Sequence, residues 1–150
     1  MRVILQRVNK ASVIVDNKQF SSIKKGILIL LGVENRDNTD DINWMAKKIC
    51  NLRIFNDRKG VMNKSLIDVN GEILVVSQFT LHASTKKGNR PSYIRAAKSS
   101  YAKKIYLEFI SSISNYIKKE TRFGSFGKDM VVEIENDGPV TITIDSKNKE

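Results

Sequence analysis

The run Glu72-Ile73-Leu74-Val75-Val76 passes without a break into Ser77-Gln78-Phe79-Thr80-Leu81. The first five residues are β-branched and almost wholly apolar, the pattern of a strand buried on both faces. Such a strand belongs inside a core, and the rest of the chain has to be built around it. At Ser77 the polarity changes abruptly, and three hydrogen-bonding side chains and an aromatic stand where the strand reaches the surface. A rigid strand end of this kind can present backbone N–H groups and a hydroxyl to a ligand. It can equally be a plain exit into a loop, and these residues alone do not choose between the two.

The flanking sequence supplies more strands than helices. Residues 2–8 and 11–15 read as two strands about Asn9-Lys10, Gln19 to Ile23 as a short third, and Ile27 to Leu31 as a core strand closed by Gly32. Thr39 is placed to cap a helix with Asp40 and Asp41 in its first turn. Ile42, Met45, Ala46 and Ile49 then form its apolar face, ending near Arg53. Ser99 or Ser100 is placed to cap a second helix, with a stripe of Ala102, Ile105, Tyr106, Phe109, Ile113, Tyr116 and Ile117. Met130 to Glu135 and Val140 to Ile144 read as a closing hairpin turned by Asn136-Asp137-Gly138-Pro139. About seven strands, mostly in sequence-adjacent hairpins, two helices and no βαβ rhythm predict an α+β fold with largely antiparallel sheet. One domain over residues 1–146 is expected, with a polar tail over 147–150 and fraying from Ser146 onward.

Charge and rare residues narrow the chemistry. The chain of 150 residues carries 26 basic and 16 acidic side chains, a net charge of +10. That excess suits a polyanionic partner such as nucleic acid, or a solvated basic surface. The loop Ser84 to Ser92 holds Lys86, Lys87, Gly88 and Arg90 and could hold a phosphate backbone or simply be solvated. The single cysteine, Cys50, falls in a helical apolar pattern and fits a reducing, cytoplasmic setting. No apolar run approaches the ~20 residues of a membrane span. One His and one Cys cannot assemble a zinc site, and no glycine-rich phosphate loop occurs, so no metal and no cofactor are expected. His82 would share a strand face with Thr80, giving a hydroxyl and a base but no third group to orient them. A solvent-facing or hydrogen-bonded His82 is the simpler reading.

Ser77-Gln78-Phe79-Thr80-Leu81 and Asn136-Asp137-Gly138-Pro139-Val140-Thr141 together resemble the two signature motifs of the D-aminoacyl-tRNA deacylase family. Gln6-Arg7-Val8, Leu31-Gly32-Val33, Leu52-Arg53-Ile54-Phe55, Arg90-Pro91-Ser92 and Phe126-Gly127 extend the resemblance over about residues 1–146. It implies a barrel-like fold and a homodimeric hydrolase. The substrate would be the ester joining a D-amino acid, or glycine, to the 3′-terminal adenosine of tRNA. Ser77, Gln78, Phe79 and Thr80 would form the catalytic stretch, with backbone N–H groups around Phe79 and Thr80 polarising the carbonyl. Either the Thr80 hydroxyl or the tRNA's own 2′-hydroxyl would drive attack, and the lack of a base beside Thr80 favours the latter. Gly138-Pro139 resembles a Gly-cis-Pro pair that enters the partner subunit's pocket and excludes L side chains, while as a plain sequence it is a turn. Arg7 matches a position that braces this pair, and Phe126, Met130 and Ala102 match pocket-lining positions. Lys86, Lys87 and Arg90 would meet tRNA. Lys128 and Ser99-Ser100 depart from residues common in the family. A non-catalytic RNA-binding module on the same scaffold is the alternative.

Overall fold

The computed structural model describes residues 1–149. Its architecture is α+β: eight strands, two α-helices and one 3₁₀ turn. Strand β1 (Arg2–Val15) is continuous, where the sequence suggests two strands about Asn9-Lys10. Those two residues are exposed but do not turn the chain, because both edges of β1 are held. Along one edge Arg2 to Val8 pair with β3 (Gly26–Gly32), and Ala11 to Val15 pair with β2 (Lys18–Ile23). Along the other edge runs β8 (Val131–Asp145), antiparallel to β1 from end to end.

Strand β8 is therefore not a hairpin. Both of its halves pair with the same strand, so Asn136 to Pro139 cannot reverse the chain. The register places Thr141 opposite Gln6 and Asn136 opposite Val8. Four residues, 137–140, thus stand against the single residue Arg7, and they arch out of the sheet as a bulge. The Gly138–Pro139 peptide bond within it is cis.

Two pairings are parallel: β3 with β6 (Glu72–Ser77), and β6 with the short β7 (Arg122–Phe123). The helices α1 (Thr39–Asn51) and α2 (Ser99–Ile117) lie in the respective crossovers. This corrects the expectation of no βαβ rhythm, while the sheet stays largely antiparallel. Hydrophobic runs identify strands but not which buried strand a crossover helix returns to. A small hairpin, β4 (Phe55–Asn56) with β5 (Met62–Lys64), fills the turn-rich loop after α1.

The helix starts also move. Asn38 caps α1: its Oδ1 accepts from the backbone N–H groups of Asp40 and Asp41 at 3.0 and 3.2 Å. Asp41 Oδ2 in turn accepts from Asn38 N at 2.9 Å, completing a capping box. Thr39 is already helical, and the helix stops at Asn51, short of Arg53. Before α2 the cap position is Lys98, without a side-chain hydrogen bond, so Ser99 and Ser100 both lie inside the helix. Ile110 joins its buried stripe, whereas Tyr116 stays 39% exposed.

Two cores result. One lies between the sheet and the helices and includes Leu5, Ile29, Ile73, Val75, Met45, Ile49 and Phe109. Cys50 belongs to it, and burial pushes its thiol up to about 12, so it stays protonated. The other fills the inside of the curled sheet, with Val8, Val13, Ile23, Leu28, Leu74 and Val76. Ser21 Oγ, donating to Phe123 O at 2.8 Å, draws β2 toward β7 and nearly closes a barrel. Among the described residues no helix is long and apolar enough to cross a membrane.

The chain end is tied down rather than frayed. Ser146 is buried, its backbone N donates to Met1 O at 2.8 Å, and its Oγ accepts from the Met1 ammonium at 3.0 Å. That ammonium also pairs with the buried Asp37. Lys147 Nζ reaches Asp41 Oδ2 at 2.6 Å. Burial opposes the Asp41 charge, but hydrogen bonds from Lys147, Ser146 and Asn38 prevail and hold its carboxyl below the ordinary value. A polar composition concealed this, because the partners are an N-terminus and a cap carboxylate distant in sequence. Residue 150 lies outside the described residues. Ser146→Ala is expected to cost about 1–3 kcal/mol by leaving the buried ammonium one acceptor short. Chemical denaturation at pH 7 measures it, and an unchanged midpoint would show the contact to be idle.

Candidate active site

Strand β6 brings Ser77 to the edge of the core, and Gln78 N donates to Leu31 O at 2.7 Å, carrying the β3 pairing one residue further. The chain then winds into a 3₁₀ turn, Phe79–His82, instead of continuing as a strand. Gly32 makes this possible. A Cβ there would lie 3.0 Å from Leu81 Cβ and 3.1 Å from both Gln78 O and His82 Cδ2. Only hydrogen lets the turn sit so close to β3.

The turn separates Thr80 from His82. With three residues per turn, positions two apart point to different sides, so the shared face expected of a strand is lost. The Thr80 hydroxyl instead accepts from Gln78 Nε2 at 2.5 Å. His82 turns inward and is 2% exposed, with no hydrogen-bond partner at Nε2. It is not solvent-facing and does not touch Thr80 as a base through any hydrogen bond. The first internal bond of the turn is Leu81 N to Gln78 O at 3.3 Å. The N–H groups of Phe79 and Thr80 precede it, and no side chain caps them.

Beside the turn lies a pocket of about 400 Å³. Ser77, Gln78 and Phe79 form one wall, and Ala102, Phe126 and Tyr93 line the rest. Phe79 is 56% exposed and meets Tyr93 edge to face, ring centroids 5.0 Å apart at 73°. Two aromatic rings at an open mouth suit a flat heterocycle. Tyr106 closes the floor, its hydroxyl within 2.8 Å of Val75 O and 3.0 Å of Gly124 O. Burial pushes the Tyr106 phenol well above its ordinary value, so it serves as a neutral donor.

The remaining sequence candidates are distributed unevenly. Gly138 and Pro139 are exposed and lie outside the lining of this pocket. Arg7 sits beneath them, 5% exposed: Nη1 donates to Ile54 O at 2.6 Å, and Nε lies 2.9 Å from Asp137 Oδ2, outside hydrogen-bond geometry. Gly138 has φ +114°, and a Cβ there would come within 2.9 Å of Arg7 Nη2. Met130 does not line the pocket but packs on the barrel core, near Gly124. Lys86, Lys87 and Arg90 are exposed on a loop pinned at its base by the paired backbone of Ser84 and Ser92. Lys128 Nζ stands 3.9 Å from Asp16 Oδ2 in solvent.

Sequence reading missed Tyr93 and the pocket role of Tyr106. Tyr93 lies in an irregular segment with no period to reveal its direction. Tyr106 sits in an apolar stripe, and its hydroxyl was the one available signal, since a buried Tyr needs a partner.

A family model described as D-Tyr-tRNA(Tyr) deacylase matches residues 4–145. The D-aminoacyl-tRNA deacylase of Christiangramia forsetii is 58% identical over 149 residues, covering 99% of each chain. That of Bacteroides fragilis is 58% identical over 150 residues, covering all of both. Among solved structures, a c-Myc DNA unwinding element binding protein superposes with a TM-score of 0.91 at 40% identity, covering 97% of this chain and 98% of that one. A probable eukaryotic D-amino acid tRNA deacylase shares the fold, with a TM-score of 0.82 at 17% identity and coverage of 95% and 97%.

His82 gives the turn a pH signature. Burial lowers its pKa from the ordinary 6.5, helped by the positive N-terminus and Arg2 and opposed by a hydrogen bond to the Gly32 backbone. The folded state therefore holds neutral histidine while the unfolded chain protonates near 6.5. Stability is full above that pH and is lost as pH falls below it. The lowered carboxyls of Asp41 and Asp145 act only in more acid solution. The thermal midpoint of the wild type should drop between pH 7 and 5, and His82→Phe should flatten the drop. Parallel curves for the two proteins would remove His82 from the account.

Proposed function

Because the chain belongs to the D-Tyr-tRNA(Tyr) deacylase family, we propose that its pocket hydrolyses the ester between a D-amino acid, or glycine, and the 3′-terminal adenosine of tRNA. The chain is a hydrolase of the aminoacyl-tRNA ester bond. The observation that carries the finer reading is the open aromatic pocket beside the uncapped N–H groups of Phe79 and Thr80. The adenine lies against Phe79 and Tyr93, and Ser77, Gln78, Ala102 and Phe126 shape the space for the sugar and ester. The carbonyl oxygen accepts from the turn's N–H groups, which stabilise the negative charge that grows there. Water adds to the carbonyl carbon, the bond to the 3′-oxygen breaks, and that oxygen leaves with a proton as the free hydroxyl. Thr80, held by Gln78, positions the backbone, and the neighbouring 2′-hydroxyl of the tRNA activates the water. Thr80 lacks a hydrogen-bonded base, which supports this division of roles.

Selection against L-amino acids falls to Gly138–Pro139. The bulge is exposed and outside its own pocket, so in a homodimer it reaches the pocket of the other copy. There its backbone carbonyls meet the α-amino group and leave no room for an L side chain, a steric rejection. Arg7 braces the bulge from below, and Met130 supports the Phe126 loop through the barrel core. Lys86, Lys87 and Arg90 draw in the tRNA phosphates in the cytoplasm, and the reaction uses no cofactor.

The test is deacylation of matched D- and L-tyrosyl-tRNA by the purified protein. Release of D and not L is expected. Release of both would remove the role given to Gly138–Pro139, and tRNA binding without release would favour an RNA-binding module. Gly138→Ala strains a left-handed backbone and presses on Arg7, and a displacement of about 1 Å costs up to ~100-fold in rate. D-tyrosyl-tRNA hydrolysis should fall by about that factor with the circular dichroism spectrum retained. Wild-type rates would sink the assignment.

A further inference from the structure

A second basic surface shares no residue with the Ser84–Ser92 loop. Between α1 and the end of β8 runs a groove of about 680 Å³, lined by Arg2, Trp44, Lys48 and Lys149 among others. A hollow that shares Trp44, Lys48 and Leu52 with it adds Lys47 and Arg53. Trp44 organises the charges: Lys149 Nζ lies 4.6 Å and Lys48 Nζ 5.8 Å from its ring centroid. The ring attracts both ammonium groups and narrows their freedom, so less order is lost when an anion arrives. Asp145 is the acidic residue of the groove, and it is already engaged by Arg2, at 3.1 and 2.9 Å from Nε and Nη2.

Arg2 also ties the groove to the candidate active site. Its Nη1 donates to Leu81 O at 2.8 Å, within the 3₁₀ turn that carries Phe79 and Thr80. A polyanion whose end sits at that turn therefore has a cationic path leading away from it. We infer that the Trp44 groove binds the phosphate backbone of the tRNA body, as a docking surface separate from the pocket for the 3′ end. This rests on the reading of the substrate as an aminoacyl-tRNA. The contacts are to phosphate, so they add affinity and orientation without reading base sequence.

The test measures binding of a deacylated tRNA by fluorescence anisotropy across a series of salt concentrations. The variants are Lys48→Glu/Lys149→Glu and, with the same change in net charge, Lys103→Glu/Lys104→Glu on the exposed side of α2. Each lost phosphate contact lowers the slope of log affinity against log salt by about 0.9 and weakens binding about fivefold near 0.15 M salt. The groove pair should lose both, by about two contacts, and the α2 pair should lose less than one. Equal losses in the two pairs would mean diffuse charge and overturn the groove. Wild-type affinity and slope in the groove pair would also overturn it. So would a change of sedimentation mass in that pair, which would make the groove a contact between copies of the chain. Deacylation is read in parallel. Release of D-tyrosine by the groove pair at the wild-type kcat/KM sinks the groove and leaves the chemistry standing, whereas a wild type that binds through the groove yet releases nothing sinks the chemistry alone.

Discussion

A guanidinium locked inside a sheet governs much of this molecule. Arg7 belongs to β1, which is paired on both edges, and its side chain is 5% exposed. A cation so placed costs several kcal/mol unless oxygen atoms meet it. They come from opposite directions: the Ile54 carbonyl from the stretch after α1, and the Asp137 carboxylate from β8. To bring Asp137 there, β8 has to leave the ladder for four residues while β1 advances by one. The arch that carries Gly138 and Pro139 is thus the far side of a charge-compensation problem in the core.

The candidate site inherits its rigidity from the other end of the same sheet. Strand β6 lies between β3 and β7, buried from Ile73 to Val76, so the first polar residues after it start from a fixed point. Gly32 lets the turn press on β3, and His82 plugs it from beneath. Tyr106 reaches up from α2 to the Val75 carbonyl and so connects the helix layer to the pocket floor. Backbone donors are suited to such a setting, since they move only if the sheet moves.

What the sequence revealed and what it hid follow from the range of the forces involved. The buried strand at 72–76 and the stripe of α1 are local patterns and read directly. The polarity switch at Ser77 marked the end of the buried strand, but the geometry beyond it was misread, because the turn depends on Gly32, far away in sequence. Strands β1 and β8 were each split in two by polar residues that look like turns in isolation. Pairing along a whole edge overrides that local preference. The parallel neighbours of β6 are set by where α1 and α2 pack, which no periodicity encodes. Ser146 and Lys147 looked solvated because their partners, Met1 and Asp41, lie at the other end of the chain.

The arch in β8 also bears on how molecules of this chain behave when crowded together. Strand β8 pairs only with β1 among the described residues, which leaves a fifteen-residue edge with Val131 and Ile134 well exposed. An uninterrupted edge of that length is a template for foreign strands and a seed for fibrous aggregation. The four arched residues cut it into two short segments that cannot be extended in one register. Proline offers no N–H at the break, and Glu133 and Glu135 put like charges on the longer exposed piece. The same kink that answers a buried cation therefore also guards against polymerisation, and straightening it would expose the chain to both faults at once.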